Sequence, residues 1–392
     1  MIAVGTGQTL AWGSSYYLPA MLATPIARDL HVSTPTVFGA FSTALVISAL
    51  VGPASGRAID LRGGRTVLMV TNGVFALGLV GLGLTDSLWQ LFAAWALIGV
   101  AMGSGLYEAA FASLVRLYRE DSRNSITGVA LIAGFASTIA WPLTTLLDTH
   151  FGWRQACFVW AALHMTVALP LNALIPRAEV EQAVIPKTPT ASSMSSSAPA
   201  PSSGRLAAVL LAYVFAVTWF ISTAMASHLP RLLEATGATL AVAVGAGALV
   251  GPAQVGGRLL EFGFLRHVSP LLSARCAAFA HPVGAVLLVM LGAPGAAAFA
   301  ILHGAGNGIL TIAKGTLPLL MFGPEGYGAR QGWLIMPARV TQALAPFVFG
   351  FALDRFGASA IWLTAFLGFT AFAALLGIAP PSRYLGPLTK QP

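Results

Sequence analysis

Charge is what this chain has least of. Asp, Glu, Lys and Arg make up 9% of its 392 residues and apolar residues 56%, whereas ordinary soluble domains carry about 25% charged residues. So few charged groups cannot dress the surface of a water-soluble protein of this length, which leaves a polytopic membrane protein. Cysteine is scarce as well. Cys157 and Cys276 both lie in apolar stretches without ligand spacing, so neither a disulfide framework nor a metal site is expected. No Gly-x-Ser-x-Gly, His-Glu-x-x-His, paired intramembrane carboxylates or ATP-binding signature occurs. The chain therefore reads as a non-enzyme without a cofactor. No charged leader precedes the first apolar run, so no cleavable signal peptide is expected. The net charge of +8 would point a soluble chain toward nucleic acid. In a membrane chain it belongs to basic loops, and no nucleic-acid partner is expected.

What the chain has in abundance is long apolar runs. A helix crosses a bilayer with about 20 such residues, and twelve runs of that kind fit the sequence. They lie near 4–27, 35–56, 65–85, 88–117, 124–148, 153–176, 206–231, 238–260, 268–291, 295–322, 329–352 and 358–379. The runs do not alternate apolar with polar, which excludes barrel strands. Residues 177–204 are rich in Ser, Pro and Ala and hold too little apolar surface to fold. They read as a flexible linker between a bundle at 1–176 and a second bundle at 205–392, each of six helices. Arg28, Arg154, Arg231 and Arg355 fall at one face of this arrangement. Nearly all other Lys and Arg fall at the opposite one, which the positive-inside rule makes cytoplasmic. Both termini and the linker are then inside.

A turn recurs between the two halves. Gly52-Pro53-Ala54-Ser55-Gly56-Arg57-Ala58-Ile59-Asp60-Leu61-Arg62-Gly63-Gly64-Arg65 is echoed by Gly251-Pro252-Ala253-Gln254-Val255-Gly256-Gly257-Arg258-Leu259-Leu260-Glu261. Gly103-Ser104-Gly105-Leu106 likewise echoes Gly306-Asn307-Gly308-Ile309. No strand precedes either glycine cluster, so they read as close helix packing rather than a phosphate loop. The first turn resembles the loop signature of the major facilitator superfamily, with Gly56, Asp60, Gly63 and Arg65 on the pattern. The second copy keeps Gly257 and Glu261 but has Phe264 in place of a glycine. The resemblance implies an all-α fold of twelve membrane helices in two pseudo-symmetric bundles, with the first, fourth, seventh and tenth helices around a central cavity. The Trp12 region and the Gly152-Trp153-Arg154 turn resemble bacterial monocarboxylate-transporter-like members. Gly99 stands where drug-exporting relatives often carry an arginine, and Ala140-Trp141-Pro142-Leu143 replaces their glycine-proline motif.

Glu108, Lys314 and Arg339 are the charged residues that fall well inside the expected spans. Each costs at least ~2.5–3.5 kcal/mol at the bilayer centre unless it faces a cavity or a partner. The resemblance puts Glu108 and Lys314 on cavity helices from opposite halves, which suits either a solute and proton-coupling role or a structural ion pair. His303, Asn307, Thr311 and Lys314 share one face of the tenth helix, and Gln8, Trp12 and Tyr16 one face of the first. In the family fold the second helix of one half borders the eleventh of the other. Asp60 is then expected to reach the Arg330 region, and Glu261 the Arg123 region, as gating contacts. The bland alternative pairs Asp60 with Arg57 or Arg65 of its own turn. The reading is a monomeric secondary transporter of the cytoplasmic membrane for a small anionic or zwitterionic organic solute, with protons as a candidate coupling ion. Efflux of toxic amphipathic compounds is the second reading, and a non-transporting receptor the third.

Overall fold

The computed structural model describes residues 1–177 and 202–379, and among them the chain is all helix. The greater part of the expected linker lies outside the described residues. Its far end is helical, because the next helix already begins at Ser202.

Before residue 177 the chain forms α1 (Ile2–Gly13), α2 (Leu18–Asp29), α3 (Thr34–Arg62), α4 (Gly64–Gly83), α5 (Leu88–Gly105) and α6 (Tyr107–Tyr118). These are followed by α7 (Arg123–Ala133), α8 (Ala136–Phe151), α9 (Trp153–Leu163), a π-helical turn over His164–Ala168, and α10 (Leu169–Ala173). After residue 202 come α11 (Ser202–Ala235), α12 (Leu240–Gly263), α13 (Pro270–Leu291), α14 (Ala296–Phe322), α15 (Tyr327–Phe356) and α16 (Ile361–Leu376). Nine helical stretches among the described residues are long and apolar enough to cross a membrane, and two of them, Leu88–Phe151 and Tyr327–Leu376, run for 64 and 50 residues. Several starts are set by side-chain caps: Ser33, Ser87 and Thr239 accept from the N–H of Thr36, Gln90 and Val242. Each satisfies a donor that the first helical turn would leave open.

Three expected spans are broken. The first splits at Ser14–Tyr17, where the Ser15 hydroxyl takes the Ala11 carbonyl at 2.5 Å and Pro19, in the first turn of α2, has no N–H to give. Serine side chains that bond the backbone compete with the helix ladder. The fourth span breaks at Leu106, whose ψ of −165° is extended. The Gly105 carbonyl freed there accepts from Gln8 Nε2 at 2.6 Å. The fifth breaks between Ala133 and Ala136, around Gly134 and Phe135.

Small residues set the closest crossings. A Cβ on Gly103 would stand 2.7 Å from the Ser48 carbonyl oxygen, and one on Gly308 would collide with that of Gln254. These are equivalent approaches of α5 to α3 and of α14 to α12, and they account for the repeated glycine clusters. Between the two sets of helices the most extensive packing is α3 along α15. There a Cβ on Gly332 would lie 2.5 Å from Pro53 Cα, so the backbones touch. Gly63 closes α3 with φ of 82°, a conformation that favours glycine.

Candidate functional site

Residues from both sets meet midway along the α3–α15 seam. Trp12 from α1 and Trp219 from α11 lie parallel, 3° apart in plane with centroids 6.1 Å apart. Tyr107 packs 4.8 Å from Trp12 and Tyr16 5.3 Å from it, and the Tyr16 hydroxyl lies 3.4 Å from Thr223 Oγ1. Lys314 Nζ stands 4.1 Å over the Trp219 ring. The Arg339 guanidinium is 5.3 Å from Trp219 and 5.9 Å from Trp12. A cation over an indole face is held by the ring quadrupole, most strongly where water is excluded.

Glu108 is paired here, but with Arg339 rather than Lys314. Arg339 Nη2 donates to both carboxylate oxygens at 3.2 and 3.0 Å, while its Nη1 donates to Gln342 Oε1 at 3.1 Å. The break at Leu106 opens α6 just ahead of Glu108 and sets the direction of its side chain. Sequence spacing on α5 and α6 treated as one helix does not contain that turn. About 250 Å³ of empty space adjoins the pair, bordered by Ser48, Gly103 and Met336.

Arg258 is another departure. Its place in the repeated motif suggests a loop residue, yet it is 4% exposed. It reaches the break in the fifth span, where a Cβ on Gly134 would collide with its Nη1. It lies within electrostatic reach of Tyr17, Tyr107 and Lys314. Among the described residues its Nε and Nη1 have no hydrogen-bond partner, and neither have Trp12 Nε1, Trp219 Nε1 and Gln342 Nε2. All are donors; Gln8 Oε1 is an unpaired acceptor nearby. The centre thus combines three buried cations, Arg258, Lys314 and Arg339, with one carboxylate, Glu108.

The rest of the expected stripe on α14 turns elsewhere. His303 faces His281 of α13, with Nδ1 atoms 3.1 Å apart, and Asn307 lines a separate cavity with them. The Thr311 hydroxyl is taken by the Asn307 carbonyl at 2.8 Å. The stripe is one face of α14, but α13, α11 and α6 cover it in turn along its length.

At the end of the bundle that holds Asp60, side chains cross between the two sets. Asp60 Oδ1 and Oδ2 accept from the backbone N–H of Gly328 and Ala329, both at 2.8 Å. Arg330 is not the partner: its guanidinium donates to the carbonyls of Gly323 and Glu325. Arg57, Arg62 and Arg65 make no ion pair with Asp60 among the described residues. Arg123 donates to Glu261 Oε1 at 3.1 Å and to the carbonyls of Leu265 and Val268. Arg119 pairs with Glu325. At the opposite end Arg154 joins Asp29 and Asp86, all in the first set, and Arg231 joins Asp354 within the second. Every ion pair seen between the two sets therefore lies at the centre or at the Asp60 end, and this structure is closed there.

Similarity to known proteins bears on the family and the fold. A family model described as the Major Facilitator Superfamily matches residues 4–336. An uncharacterized 38 kDa protein encoded in the 23S RNA operon of Thermoproteus tenax is 26% identical over 378 residues, covering 95% of this chain and 92% of its own. Among solved structures, the proton:xylose symporter XylE bound to 6-bromo-6-deoxy-D-glucose aligns with TM-score 0.76 at 12% identity, over 97% of this chain and 95% of its own. The human organic anion transporter MFSD10 aligns with TM-score 0.67 at 14% identity, over 95% and 98%. At such identities the likeness to the two structures shows the fold alone.

Proposed function

The chain belongs to the Major Facilitator Superfamily, and on that footing we propose that it carries a small anionic organic solute across the cytoplasmic membrane by alternating access. The observation that carries this reading is the excess of buried positive charge and unpaired donors around Trp12 and Trp219. Buried polar groups without partners are costly, and this set is completed by a ligand that brings negative charge and acceptor atoms. The aromatic walls supply apolar area for the body of the solute, which suits a carboxylate or sulfonate on a planar frame. The two structural neighbours bear the names of a sugar symporter and an organic anion transporter, so the fold does not select between such solutes. The charge at the centre favours the anion.

In this reading residues 1–176 and 205–392 are two bundles that rock about the central site, as secondary transporters do. The basic Asp60 end is cytoplasmic, both termini lie on that side, and the protein acts as a monomer. The pairs from Asp60, Arg119 and Arg123 hold the cytoplasmic end closed, while Glu108 holds Arg339 until a solute anion competes for it. Cysteine accessibility from either side of sealed cells tests the orientation, and labelling of an Arg62→Cys variant from outside alone would reverse it.

The test is counterflow in proteoliposomes with labelled benzenesulfonate, succinate and lactate. Benzenesulfonate is informative because it stays charged and does not leak through the bilayer as a neutral acid. Exchange of at least one of these anions is expected, and exchange of none by a folded protein would refute the proposal. Quenching of tryptophan fluorescence then reads binding. Lys314→Ala is expected to weaken benzenesulfonate by about tenfold or more, the scale of a lost desolvated charge contact, and neutral benzenesulfonamide far less. Equal losses for both would remove Lys314 from anion recognition. Efflux of amphipathic compounds is the second reading, favoured by the packed rings of Trp12, Tyr16, Tyr107 and Trp219, and exchange of an aromatic cation in place of the anions would select it.

A further inference from the structure

A second polar cavity lies among α11, α13, α14 and α16, apart from the aromatic centre. Thr218, His281, His303 and Asn307 form its polar lining. His281 is 6% exposed and His303 4%. Their rings meet at 69° with centroids 5.0 Å apart, and Phe299 stacks against His303.

The Nδ1 to Nδ1 distance of 3.1 Å fixes how hydrogens are shared. A neutral imidazole has one N–H and one bare nitrogen. For the contact to be a hydrogen bond, one ring must donate from Nδ1 and the other accept there. The acceptor ring then carries its own hydrogen on Nε2, and the donor ring keeps a bare Nε2. The pair therefore has one nitrogen open to a proton, and the Nε2 of His281 has no partner among the described residues. A hydronium ion in the cavity supplies that proton: its O–H bond breaks, an Nε2–H bond forms, and water is left. A second proton would set N–H against N–H between two adjacent cations, so the capacity is one.

The surroundings isolate the pair. From α11 the facing groups are Ile221 and Thr218, whose hydroxyl donates to the Phe215 carbonyl. From α14 they include Asn307 and Leu310, and from α16 Gly368 and Ala371. None of the residues lining the cavity is an acid, a lysine or an arginine. Arg275, lower on α13, is engaged by the carbonyls of Leu375 and Ile378. His164 in the first set is a contrast. Its Nδ1 lies 2.9 Å from Asn72 Oδ1 and its Nε2 2.7 Å from Ser14 Oγ. Both its nitrogens are used, and it pins helices together.

We propose that His281 and His303 form a one-proton site, separate from the solute site, through which a proton gradient drives transport. This rests on the transporter reading. The site shares α14 with Lys314, so proton binding and anion binding act on one helix. With one proton per cycle, a monoanion moves with no net charge, and a step of one pH unit sustains at most about tenfold accumulation.

The test has two arms. Full-length protein labelled with ¹⁵N at histidine, in lipid nanodiscs, is followed by NMR from about pH 8 down through, and below, the window about pH 5–8 in which imidazole ordinarily titrates. With signals assigned from His281→Asn and His303→Asn, the two rings are expected to shift together and gain one proton between them. Two independent titrations, or two rings unchanged across the range, would overturn the site. In proteoliposomes, both variants are expected to exchange whichever probe anion the wild type exchanges, at its rate and at equal pH. They should lose the accumulation that an imposed pH gradient gives the wild type. Undiminished accumulation in both variants would overturn the coupling role. If the wild type exchanges no probe anion, the transporter reading fails, and the NMR arm still decides whether the proton site exists.

Discussion

Replacing Asp60 by Ala uncaps a helix that belongs to the other half of the molecule. The N-cap position of α15 is Gly326, in the left-handed region with φ of 59°, and it offers no side chain to the first turn. Asp60 fills that role from α3. Its two oxygens take the N–H groups of Gly328 and Ala329 at 2.8 Å, the second and third residues of α15, which are the donors an N-cap side chain ordinarily serves. Loss of a cap costs about 0.5–2 kcal/mol, and loss of a negative charge at a helix N-terminus about 0.3–1 kcal/mol. In the proposed alternating-access cycle the contact is made only while this end is closed, so the sum acts on the open–closed equilibrium. It amounts to about 1–3 kcal/mol, roughly a 5- to 150-fold shift toward the open form. Asp60→Asn keeps an acceptor oxygen and removes the charge, so it is expected to shift the equilibrium by the smaller, electrostatic part. The measurement is a distance distribution between spin labels at Asp121 and Phe264, both exposed at this end, in a background where the exposed Cys276 is replaced. Asp60→Ala should enlarge the long-distance population and Asp60→Asn should fall between it and the wild type. A distribution in Asp60→Ala that matches the wild type would refute the latch, and equal effects of Ala and Asn would refute the capping geometry.

Arg123→Ala leaves the carboxylate of Glu261, 3% exposed, without its charge partner, so a loss of about 3–5 kcal/mol in stability is expected. Arg123→Met combined with Glu261→Met should recover most of it, and thermal unfolding in detergent compares the two. Gly332→Ala introduces a methyl 2.5 Å from Pro53 Cα, so the same spin-label pair should report a more open end even with Asp60 intact. Arg154→Ala removes the tie between Asp29 and Asp86, all within the first set of helices, and is expected to lower the melting temperature without moving the spin-label distances.

The fold was readable because hydropathy and the repeated turn are properties of the chain alone, and the family match over residues 4–336 agrees with them. The approach of Asp60 to the start of α15 was readable for the same reason, since the motif fixes where each helix ends. The start of α15 near Gly328-Ala329-Arg330 offers both unpaired backbone N–H groups and a full charge, and the carboxylate takes the N–H groups of Gly328 and Ala329 rather than Arg330. The partner of Glu108 was hidden by the turn at Leu106, because helical spacing gives rotational phase only along an unbroken helix. Arg258 was hidden by its motif, which marks a helix end and says nothing of a long side chain running back toward the centre. His303 shares a face of α14 with Lys314, but along that face His303 meets His281 of α13 whereas Lys314 meets Trp219 of α11.

The breaks in the helices also divide the mechanical work of the molecule unevenly. In the first set, the segments that carry Trp12, Glu108 and the pocket for Arg258 are jointed at Ser14–Tyr17, Leu106 and Gly134–Phe135. In the second set, Trp219, Lys314 and Arg339 ride on α11, α14 and α15, continuous helices of 34, 27 and 30 residues that carry Pro230, Pro318, Pro337 and Pro346 in their interiors. A helix yields where an interior proline leaves a carbonyl of the preceding turn unpaired. In the proposed cycle the first set therefore bends at joints beside the solute, and the second at Pro230, Pro318, Pro337 and Pro346.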